Sequence, residues 1–282
     1  MLSVVIPTCN DGRFLDEQLA ALAGQRADLE FEVVLVANHS TVDLDELVTS
    51  WSGRLDLVVE RADGRAGAAY ARNRGIERAR GDVLLFVDDD DVVAPGYVSA
   101  MRRALEYAPA VGARVDVTTL NPGWRQHVRP ASQTEGLAHT HGVRTAGAGS
   151  LGVRRSVLDE VGPFDEALDG FAGEDLEWCL RLASRGYELT FAADALLHYR
   201  FRTTVRALWR QAVRYGRGGE MVMPEWAGWG RWVRSLAGPA RLMVLGRGRG
   251  ERRRGVFLLG RRVGRALAHR HRGRVGYMRN TP

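Results

Sequence analysis

The sequence predicts an α/β protein built on a mostly parallel β-sheet with helices on both faces. In the N-terminal part of the chain, apolar runs of strand length alternate with segments whose apolar residues repeat at helical spacing. This alternation is typical of parallel sheets, in which a helix crosses from each strand to the next. The apolar run at 83–87 ends in four consecutive aspartates, and such sheets bind ligands beyond the carboxyl ends of their strands.

The individual elements can be predicted in order. Short runs rich in Val, Leu and Ile indicate strands, and apolar residues three or four positions apart indicate one buried helix face. The polar residues at 9–12 are predicted to form a loop after the first strand. In chain order the predicted elements are strand 2–8, helix 14–22, strand 31–36, helix 44–48, strand 55–59, helix 67–80, strand 83–87, helix 176–185, strand 192–197 and helix 203–218.

The composition is that of an ordinary globular protein. Hydrophobic residues make up 45% and charged residues 26% of the 282 residues, which fits a core large enough for one sizeable domain. The two cysteines, Cys9 and Cys179, lack the spacing of a metal or dithiol motif and favour a reduced, cytoplasmic protein. The N-terminus has no basic leader, and no apolar stretch approaches the roughly 20 residues that cross a bilayer.

Charge is distributed unevenly along the chain. Residues 200–282 contain 21 arginines and three acids, a net charge of +18, so residues 1–199 carry −12 of the total of +6. Such asymmetry favours an anionic partner, either nucleic acid or an acidic membrane surface, although a solvated arginine-rich face also explains it. The acidic N-terminal part and the lack of a recognisable nucleic-acid module disfavour nucleic acid. The chain is predicted to divide into a domain at 1–218 and an Arg-rich, helical or partly disordered extension at 219–282.

The aspartates Asp88, Asp89, Asp90 and Asp91 carry the strongest chemical signal. Adjacent like charges repel one another, and a compact fold needs positive charge beside them. A hard divalent cation with oxygen ligands, Mg²⁺ or Mn²⁺, supplies that charge. An acidic turn that only solvates the end of a strand is an equally simple interpretation of the four residues.

Several motifs, taken together, resemble family 2 glycosyltransferases of the GT-A fold, in the order in which that family has them. They lie at 4–10, 71–75, 81–91, 162–166, 173–182 and 196–199. The similarity extends from about Leu2 to about Gly218. It implies a Rossmann-like GT-A sheet and the transfer of a sugar from a nucleotide diphosphate donor to an acceptor hydroxyl, with inversion of the anomeric centre.

The resemblance also implies roles for the four aspartates. Asp90 is expected to bind the cation directly, and Asp88 is expected to approach the donor ribose, directly or through the cation. Asp89 is placed with the donor contacts. Either Asp89 or Asp91 is alternatively a cap for the next helix, because Pro95 follows closely.

Two basic residues are expected near the donor diphosphate. Arg72 lies in the motif Ala-Arg-Asn-Arg-Gly, and its guanidinium suits phosphate oxygens, although a surface arginine on a helix fits the pattern as well. His198 follows the strand at 192–197, and the resemblance places it near the cation and the diphosphate. A lone histidine is more often a packed or surface residue.

A second acidic pair, Glu174 and Asp175, follows the glycines Gly170 and Gly173. By motif position, the resemblance implies that Asp175 is the general base that takes the acceptor proton, and that Glu174 orients the acceptor or the base. Acids at the start of a helix are also favoured by the helix dipole, so helix capping explains the pair without catalysis.

Thr8, Asn10 and Asn38 are expected to contact the nucleotide. The family usually has an acidic pair after the second strand that reads the nucleobase, but Ala37 and Asn38 stand there in this sequence. Asn38 can hydrogen-bond a base edge through its amide, yet the identity of the base stays open. Loop and cap chemistry is the alternative for all three residues. The small residues at 147–155 are similar to the segment that lines the sugar and acceptor cleft, or form a strand packed against a helix.

The predicted helix at 203–218 is amphipathic. Val205, Leu208 and Trp209 lie on one face, and a stripe of arginines lies on another. A basic face opposite a tryptophan suits a membrane interface, where lipid-linked acceptors reside, whereas most such helices pack on their own domain. The expected acceptor is a saccharide or a lipid-linked molecule, and the expected location is the cytoplasm or the inner face of the plasma membrane.

Two other functions are compatible with parts of the sequence. A nucleotidyltransferase on a related sheet also uses carboxylate-bound Mg²⁺, but the loop at 8–13 lacks the glycine-rich character of such enzymes, and the pair Glu174-Asp175 would be unexplained. A non-catalytic, basic-tailed binding protein would account for the tail alone. Sugar transfer, in cell-envelope polysaccharide or glycolipid synthesis, accounts for the whole ordered set of motifs.

Overall fold

The structure is a computed structural model of the chain that describes residues 1–10, 12, 14–25, 30–223 and 229–271. Within these ranges the side chains of Asn10, Trp229, Arg270 and His271 are not described. The chain forms two compact units. The sheet unit comprises Met1–Asp116, Ser132–Asp169 and Glu174–Tyr199, and the helical unit comprises Val117–Ala131, Gly170–Gly173 and Arg200–Pro282.

The sheet unit alternates strands and helices as the sequence predicted. Its strands are Leu2–Asn10 (β1), Glu32–Ser40 (β2), Asp56–Arg61 (β3), Val83–Val87 (β4), Val92–Val93 (β5), Ala110–Asp116 (β6), Ala138–Thr140 (β7), Val143–Thr145 (β8), Ser150–Arg154 (β9) and Leu189–His198 (β10). Its helices are Leu15–Ala23 (α1), Leu44–Trp51 (α2), Ala68–Arg78 (α3), Tyr97–Tyr107 (α4), Arg155–Val161 (α5) and Glu174–Ser184 (α6).

Eight of these strands form one sheet in the order β3-β2-β1-β4-β9-β6-β10-β5. β1 lies between β2 and β4, and both pairings are parallel. β9 runs antiparallel to its neighbours β4 and β6, and β5 runs antiparallel to β10. The predicted mostly parallel α/β sheet is confirmed. The packed-strand alternative for the segment at 147–155 is confirmed by β9, which follows a turn at 147–149. Its lining of a sugar cleft stays a prediction.

Residues of the central strands alternate between two hydrophobic clusters, one on each face of the sheet. Val4 and Ile6 of β1 pack with α1, α2 and α4, whereas Val5 packs with α3, α5 and α6. In β4, Leu85 belongs to the first cluster and Phe86 to the second. Because successive side chains of a strand point to opposite faces, both faces are covered by helices, as predicted.

β1 and β2 extend further than the sequence predicted. Cys9 and Asn10, predicted to be loop residues, belong to β1, and residues 37–40, which follow the predicted strand 31–36, belong to β2. The pairing runs to Thr8 and resumes at Asn10 after a register shift. Main-chain hydrogen bonds to a parallel neighbour form whatever the polarity of the side chains. A prediction that ended each strand at its first polar residues therefore made both strands too short.

The helical unit contains the helices Val205–Val222 (α7), Trp229–Leu245 (α8) and Arg249–His271 (α9) and a short 3₁₀ turn at Gly123–His127. α7 and α9 approach closely at glycines: a Cβ at Gly264 would lie 2.2 Å from the carbonyl oxygen of Val213. The predicted boundary after residue 218 falls inside α7, so the predicted domains do not coincide with the two compact units. Within the predicted C-terminal extension, the end of α7, α8 and α9 are helical and residues 223 and 246–248 are not. None of the described helices combines the length and the apolarity needed to cross a membrane.

A buried carboxylate ties the start of β2 to neighbouring segments. Glu32 Oε1 accepts hydrogen bonds from Ser3 Oγ at 2.5 Å and from the Arg80 backbone N–H at 2.6 Å, and Oε2 accepts from Arg80 Nε at 2.8 Å. Burial acts to raise the pKa of Glu32, but these hydrogen bonds and the charge of Arg80 outweigh it and lower the pKa from its ordinary value of 4.5. The ionised form therefore stabilises the fold.

We expect Glu32→Gln to lower the free energy of unfolding by roughly 1–3 kcal/mol at pH 7, because an amide cannot accept from all three donors. A lowered pKa means that the contribution of Glu32 is present above its unfolded-state pKa and is lost as the pH falls through its folded-state pKa. Urea unfolding between neutral pH and the acid limit of folding should therefore give a difference that shrinks in acid. The exposed Glu30→Gln is the matched control, and a difference independent of pH would contradict the assignment.

Candidate active site

A buried arginine joins the two acidic motifs. Arg72 of α3 places one terminal nitrogen 2.8 Å from Asp88 Oδ1, after β4, and the other 2.9 Å from Glu174 Oε1, at the start of α6. Its side chain is 5% exposed. Burial acts to lower the pKa of the guanidinium, but the charges of Asp88, Glu174 and Asp175 outweigh it and raise the pKa. The predicted surface-arginine alternative is wrong, and contact between Arg72 and a diphosphate stays a prediction.

α3 is held in place by the segment that precedes α6. The carboxylate of Asp169 accepts from the backbone N–H groups of Ala69 at 2.9 Å and Tyr70 at 3.2 Å, which lie in the first turn of α3. One turn later, Asn73 exchanges two hydrogen bonds of 2.9 Å with the backbone of Phe164. These contacts fix where Arg72 meets Glu174. The sequence reasoning missed Asp169, because only the fold brings it next to residues about a hundred positions earlier.

The turn at 147–149 runs beside both acidic motifs. A Cβ at Gly149 would lie 2.6 Å from Asp88 Oδ2, and a Cβ at Gly147 would lie 3.9 Å from Asp175 Oδ2. Asp88 and Asp175, one from each acidic motif, therefore both lie beside this short turn. A side chain at Gly149 would displace the Asp88 carboxylate from its present position.

Three of the four aspartates cluster. Asp88, Asp90 and Asp91 each offer a carboxylate oxygen, and these oxygens lie within 4.8 Å of one another. Such a set of hard oxygen donors fits Mg²⁺ or Mn²⁺, which are held by few carboxylates together with substrate phosphates. The structure brings the predicted ligands Asp88 and Asp90 together and adds Asp91. Asp91 is not a helix cap, because α4 has Gly96 at its N-cap and no side-chain cap hydrogen bond.

Asp89 points away from this cluster towards the end of β1. Its Oδ2 accepts a hydrogen bond of 2.7 Å from Thr8 Oγ1. Burial raises the pKa of Asp89 to about 6, with smaller contributions from the charges of Asp90 and Asp88, while the Thr8 hydrogen bond opposes the shift. Two residues predicted to contact the nucleotide, Thr8 and Asp89, thus contact each other, and their binding to a donor stays a prediction.

His198 is paired with a carboxylate that the sequence reasoning missed. Its Nδ1 lies 2.8 Å from Asp116 Oδ2, because the two residues are register partners at the ends of the parallel strands β10 and β6. On its other side, His198 pairs with Val92 of β5, just after the aspartate cluster. The pairing leaves Nε2 as the ring atom available to a cation or a phosphate. The signal for Asp116 was an acid ending an apolar run.

Asn38 is committed to the local backbone. Its Nδ2 group donates to the carbonyl oxygens of Ala62 and, at 2.7 Å, of Arg65, and its Oδ1 accepts from the Gly67 N–H at 3.0 Å. Both amide protons are thereby used to hold the loop before α3. Base recognition by Asn38 stays a prediction, restricted to the second lone pair of Oδ1. The side chain of Asn10, also predicted to bind the nucleotide, lies outside the described residues.

Glu174 and Asp175 form the first turn of α6. Asp175 Oδ1 accepts a hydrogen bond of 2.8 Å from the Leu176 N–H. Burial, followed by the charge of Glu174, raises the pKa of Asp175 to about 6, against the opposing effects of the Leu176 N–H and Arg72. Helix capping and an unusual proton affinity therefore coexist at Asp175. A carboxylate with this pKa is ionised at neutral pH and is a stronger base than an exposed one.

Comparisons with known proteins identify the family of the chain. Residues 3–162, more than half of the chain, match the family described as Glycosyl transferase family 2, and residues 83–248 match Glycosyl transferase family group 2. Glycosyltransferase AglE of Haloferax volcanii is 29% identical over 208 residues, which are 69% of this chain and 65% of AglE. The validoxylamine A glucosyltransferase of Streptomyces hygroscopicus subsp. jinggangensis is 30% identical over 232 residues, covering 69% of this chain and 54% of that protein. The chain thus spans between about half and two thirds of the length of these relatives.

Solved structures share the fold. TarS 1–349 of S. aureus has a TM-score of 0.59 at 18% identity, over 95% of this chain and 91% of that chain. The mannosyltransferase PcManGT from Pyrobaculum calidifontis, solved in complex with GDP-Man and Mn²⁺, has a TM-score of 0.61 at 18% identity, over 98% of this chain and 75% of that chain. These are GT-A glycosyltransferases, so the predicted GT-A fold is confirmed. With the family match over residues 3–162, the chain belongs to glycosyltransferase family 2.

Proposed function

We propose that this family 2 glycosyltransferase, which transfers a sugar from a nucleotide donor, is metal-dependent and inverts the anomeric centre. The observation that carries the proposal is the Arg72 bridge, which sets the end of β4 beside the start of α6. The aspartates after β4 can then bind the donor, while Glu174 and Asp175 contact the acceptor.

The donor side of the site is the cluster of Asp88, Asp90 and Asp91. A bound Mg²⁺ or Mn²⁺ would neutralise charge on the leaving nucleoside diphosphate. The carboxylates would hold the cation after the carboxyl end of β4. His198, oriented by Asp116, lies at the end of β10 and pairs with Val92 of β5, directly after the aspartates, so its Nε2 could contribute to the same site. The PcManGT complex contains GDP-Man and Mn²⁺, and a TarS complex contains UDP-GlcNAc, which supports a nucleotide diphosphate sugar as donor here.

The acceptor side is the pair Glu174 and Asp175. Asp175 takes the proton of the acceptor hydroxyl as its oxygen attacks the anomeric carbon, and direct displacement inverts that centre. Glu174 is fixed by Arg72 and orients the base. The raised pKa of Asp175 supports this assignment, because it brings the proton affinity closer to neutral pH.

The proposed acceptor is a saccharide or a lipid-linked molecule of the cell envelope. The arginine-rich composition of residues 200–282 supports work at an anionic membrane surface, at the inner face of the plasma membrane. A nucleotidyltransferase remains an inferior alternative, because it leaves the raised proton affinity of Asp175 without a purpose.

We expect nucleoside diphosphates to raise the melting temperature of the wild-type protein only when Mn²⁺ or Mg²⁺ is present. A ligand at 100 times its Kd stabilises the fold by about 2.7 kcal/mol, which a thermal shift assay detects readily. Asp90→Asn should lose the metal-dependent part of this shift, because the cluster loses a charged ligand. Asp159→Asn, an exposed acid on α5, is the matched control and should behave as wild type. An unaltered metal-dependent shift in Asp90→Asn would contradict the metal site.

We expect Asp175→Asn to retain metal-dependent donor binding while its transfer rate falls by roughly 10²–10⁴-fold, the usual contribution of a positioned base. The activity of the wild type should rise as the pH increases through about 6, because Asp175 must be ionised to accept a proton. The residual activity of the variant should lack this rise. Transfer is measured over a panel of nucleotide sugars, and NMR of the product anomer tests inversion. Equal rates for wild type and variant would exclude Asp175 as the base.

A further inference from the structure

α8 exposes a concentration of apolar side chains. Among the described residues, nine large hydrophobic side chains are exposed, and four of them lie on this one helix. Val233 is 57% exposed, Val244 is 65% exposed and Leu245 is 67% exposed, and Met243 is the fourth. A cluster of exposed apolar residues marks an interaction surface more often than single exposed residues do.

The exposed residues form a stripe along the helix. Val233 and Val244 are eleven positions apart, so they lie about three turns apart and within roughly 20° of each other around the axis. Ala237 lies between them and is also exposed. Arg234 and Arg241 lie about 80–100° to one side of Val233. The outward surface of α8 is therefore an apolar stripe with arginines along one side.

The charge of this segment has one sign. Residues 229–250 contain five arginines and no acid. Arg247 and Arg249 directly follow the apolar residues at the C-terminal end of α8. An apolar stripe beside concentrated positive charge complements a surface that combines acyl chains with anionic headgroups.

The opposite side of α8 is fastened to α9. Trp232 Nε1 donates a hydrogen bond of 2.8 Å to the carbonyl oxygen of Arg262. Near the other end of the helix, a Cβ at Gly255 would lie 2.4 Å from the backbone nitrogen of Met243, so the two backbones are in close contact there. With both ends of α8 held against α9, the stripe of Val233 and Val244 faces outward from the helical unit.

The amphipathic pattern of α7 fitted either a membrane interface or packing on its own domain, and its central apolar residues pack within the protein. Leu208 and Ala212 of its apolar face are fully buried within the protein. A Cβ at Gly260 of α9 would lie 2.8 Å from the Cβ of Ala212, so α9 covers this face. The amphipathic pattern of α7 therefore serves internal packing.

We propose that α8 binds flat in the headgroup region of an anionic membrane. Val233 and Val244 enter the acyl boundary, while Arg234 and Arg241 contact lipid phosphates. The helix does not cross the bilayer, in agreement with the absence of a membrane-spanning helix among the described residues. The inference rests on the proposed function only in that it names the surface at which a lipid-linked acceptor would be met.

The test is cosedimentation of the full chain with vesicles of phosphatidylcholine alone or with phosphatidylglycerol added. We expect wild-type protein to bind anionic vesicles at least tenfold more tightly than neutral ones, with a steep dependence on salt. Val233→Ser combined with Val244→Ser should reduce binding to anionic vesicles at least tenfold. Arg234→Gln combined with Arg241→Gln should abolish most of the preference for anionic lipid.

Matched controls come from α4 of the sheet unit. Tyr107→Ser removes an apolar side chain that is 89% exposed, and Arg102→Gln combined with Arg103→Gln removes two exposed arginines. These controls should bind vesicles as wild type does. Equal binding of wild type to both vesicle types, or wild-type binding by the α8 variants, would overturn the proposal. Sedimentation showing a dimer that the α8 variants dissociate would overturn it as well, by assigning the stripe to a second copy of the chain.

Metal-dependent stabilisation by nucleoside diphosphates, measured without vesicles, separates this inference from the proposed function. The α8 variants should keep that stabilisation and their circular dichroism spectrum, which shows that they fold and bind donor. If the α8 variants lose vesicle binding but keep this stabilisation, the loss is due to the α8 surface and not to the donor site. A wild-type protein that binds vesicles but no nucleotide would instead refute the proposed function and leave the membrane helix standing.

Discussion

The charge of Arg72 in the protein interior constrains the rest of the site. A guanidinium that is 5% exposed has lost most of its hydration, and only nearby carboxylates offset that loss. Asp88 and Glu174 do so, at 2.8 and 2.9 Å from the two terminal nitrogens of Arg72. The end of β4 and the start of α6 must therefore both lie beside this residue of α3. The positive charge of Arg72 also lowers the pKa of Asp175, against the burial that raises it. The proposed donor site and the proposed base therefore share the charge of Arg72.

Much of the fold follows from local patterns. The run Val83–Val87 with its aspartates predicted a central strand and a cation site, because strand period and charge repulsion act over adjacent residues. The partners of Arg72 and His198 could not be predicted in this way. Glu174 is 102 positions from Arg72, and Asp116 is 82 positions from His198. Such pairs are set by strand order and helix docking, which no single segment encodes.

The C-terminal helices illustrate a different limit of sequence reasoning. An amphipathic period shows that a helix has an apolar face, but not whether protein or lipid covers it. In α7 that face meets α9, and Leu208 is buried. In α8 the stripe is short and mixed with arginines, so it gave a weaker pattern, yet Val244 is exposed. Packing partners, rather than the strength of the period, decide which helix presents an apolar surface.

The glycines at 147–149 acquire a physical reason from the Arg72 bridge. A Cβ at Gly149 would lie 2.6 Å from Asp88 Oδ2, so a larger residue would displace the carboxylate that Arg72 holds. Displacing Asp88 would weaken its ion pair with Arg72 and would also move one of the carboxylate oxygens proposed to bind the metal ion. A role of these small residues in lining a sugar site stays a prediction. The small residues allow the turn before β9 to lie against Asp88, whose ion pair with Arg72 connects the two acidic motifs.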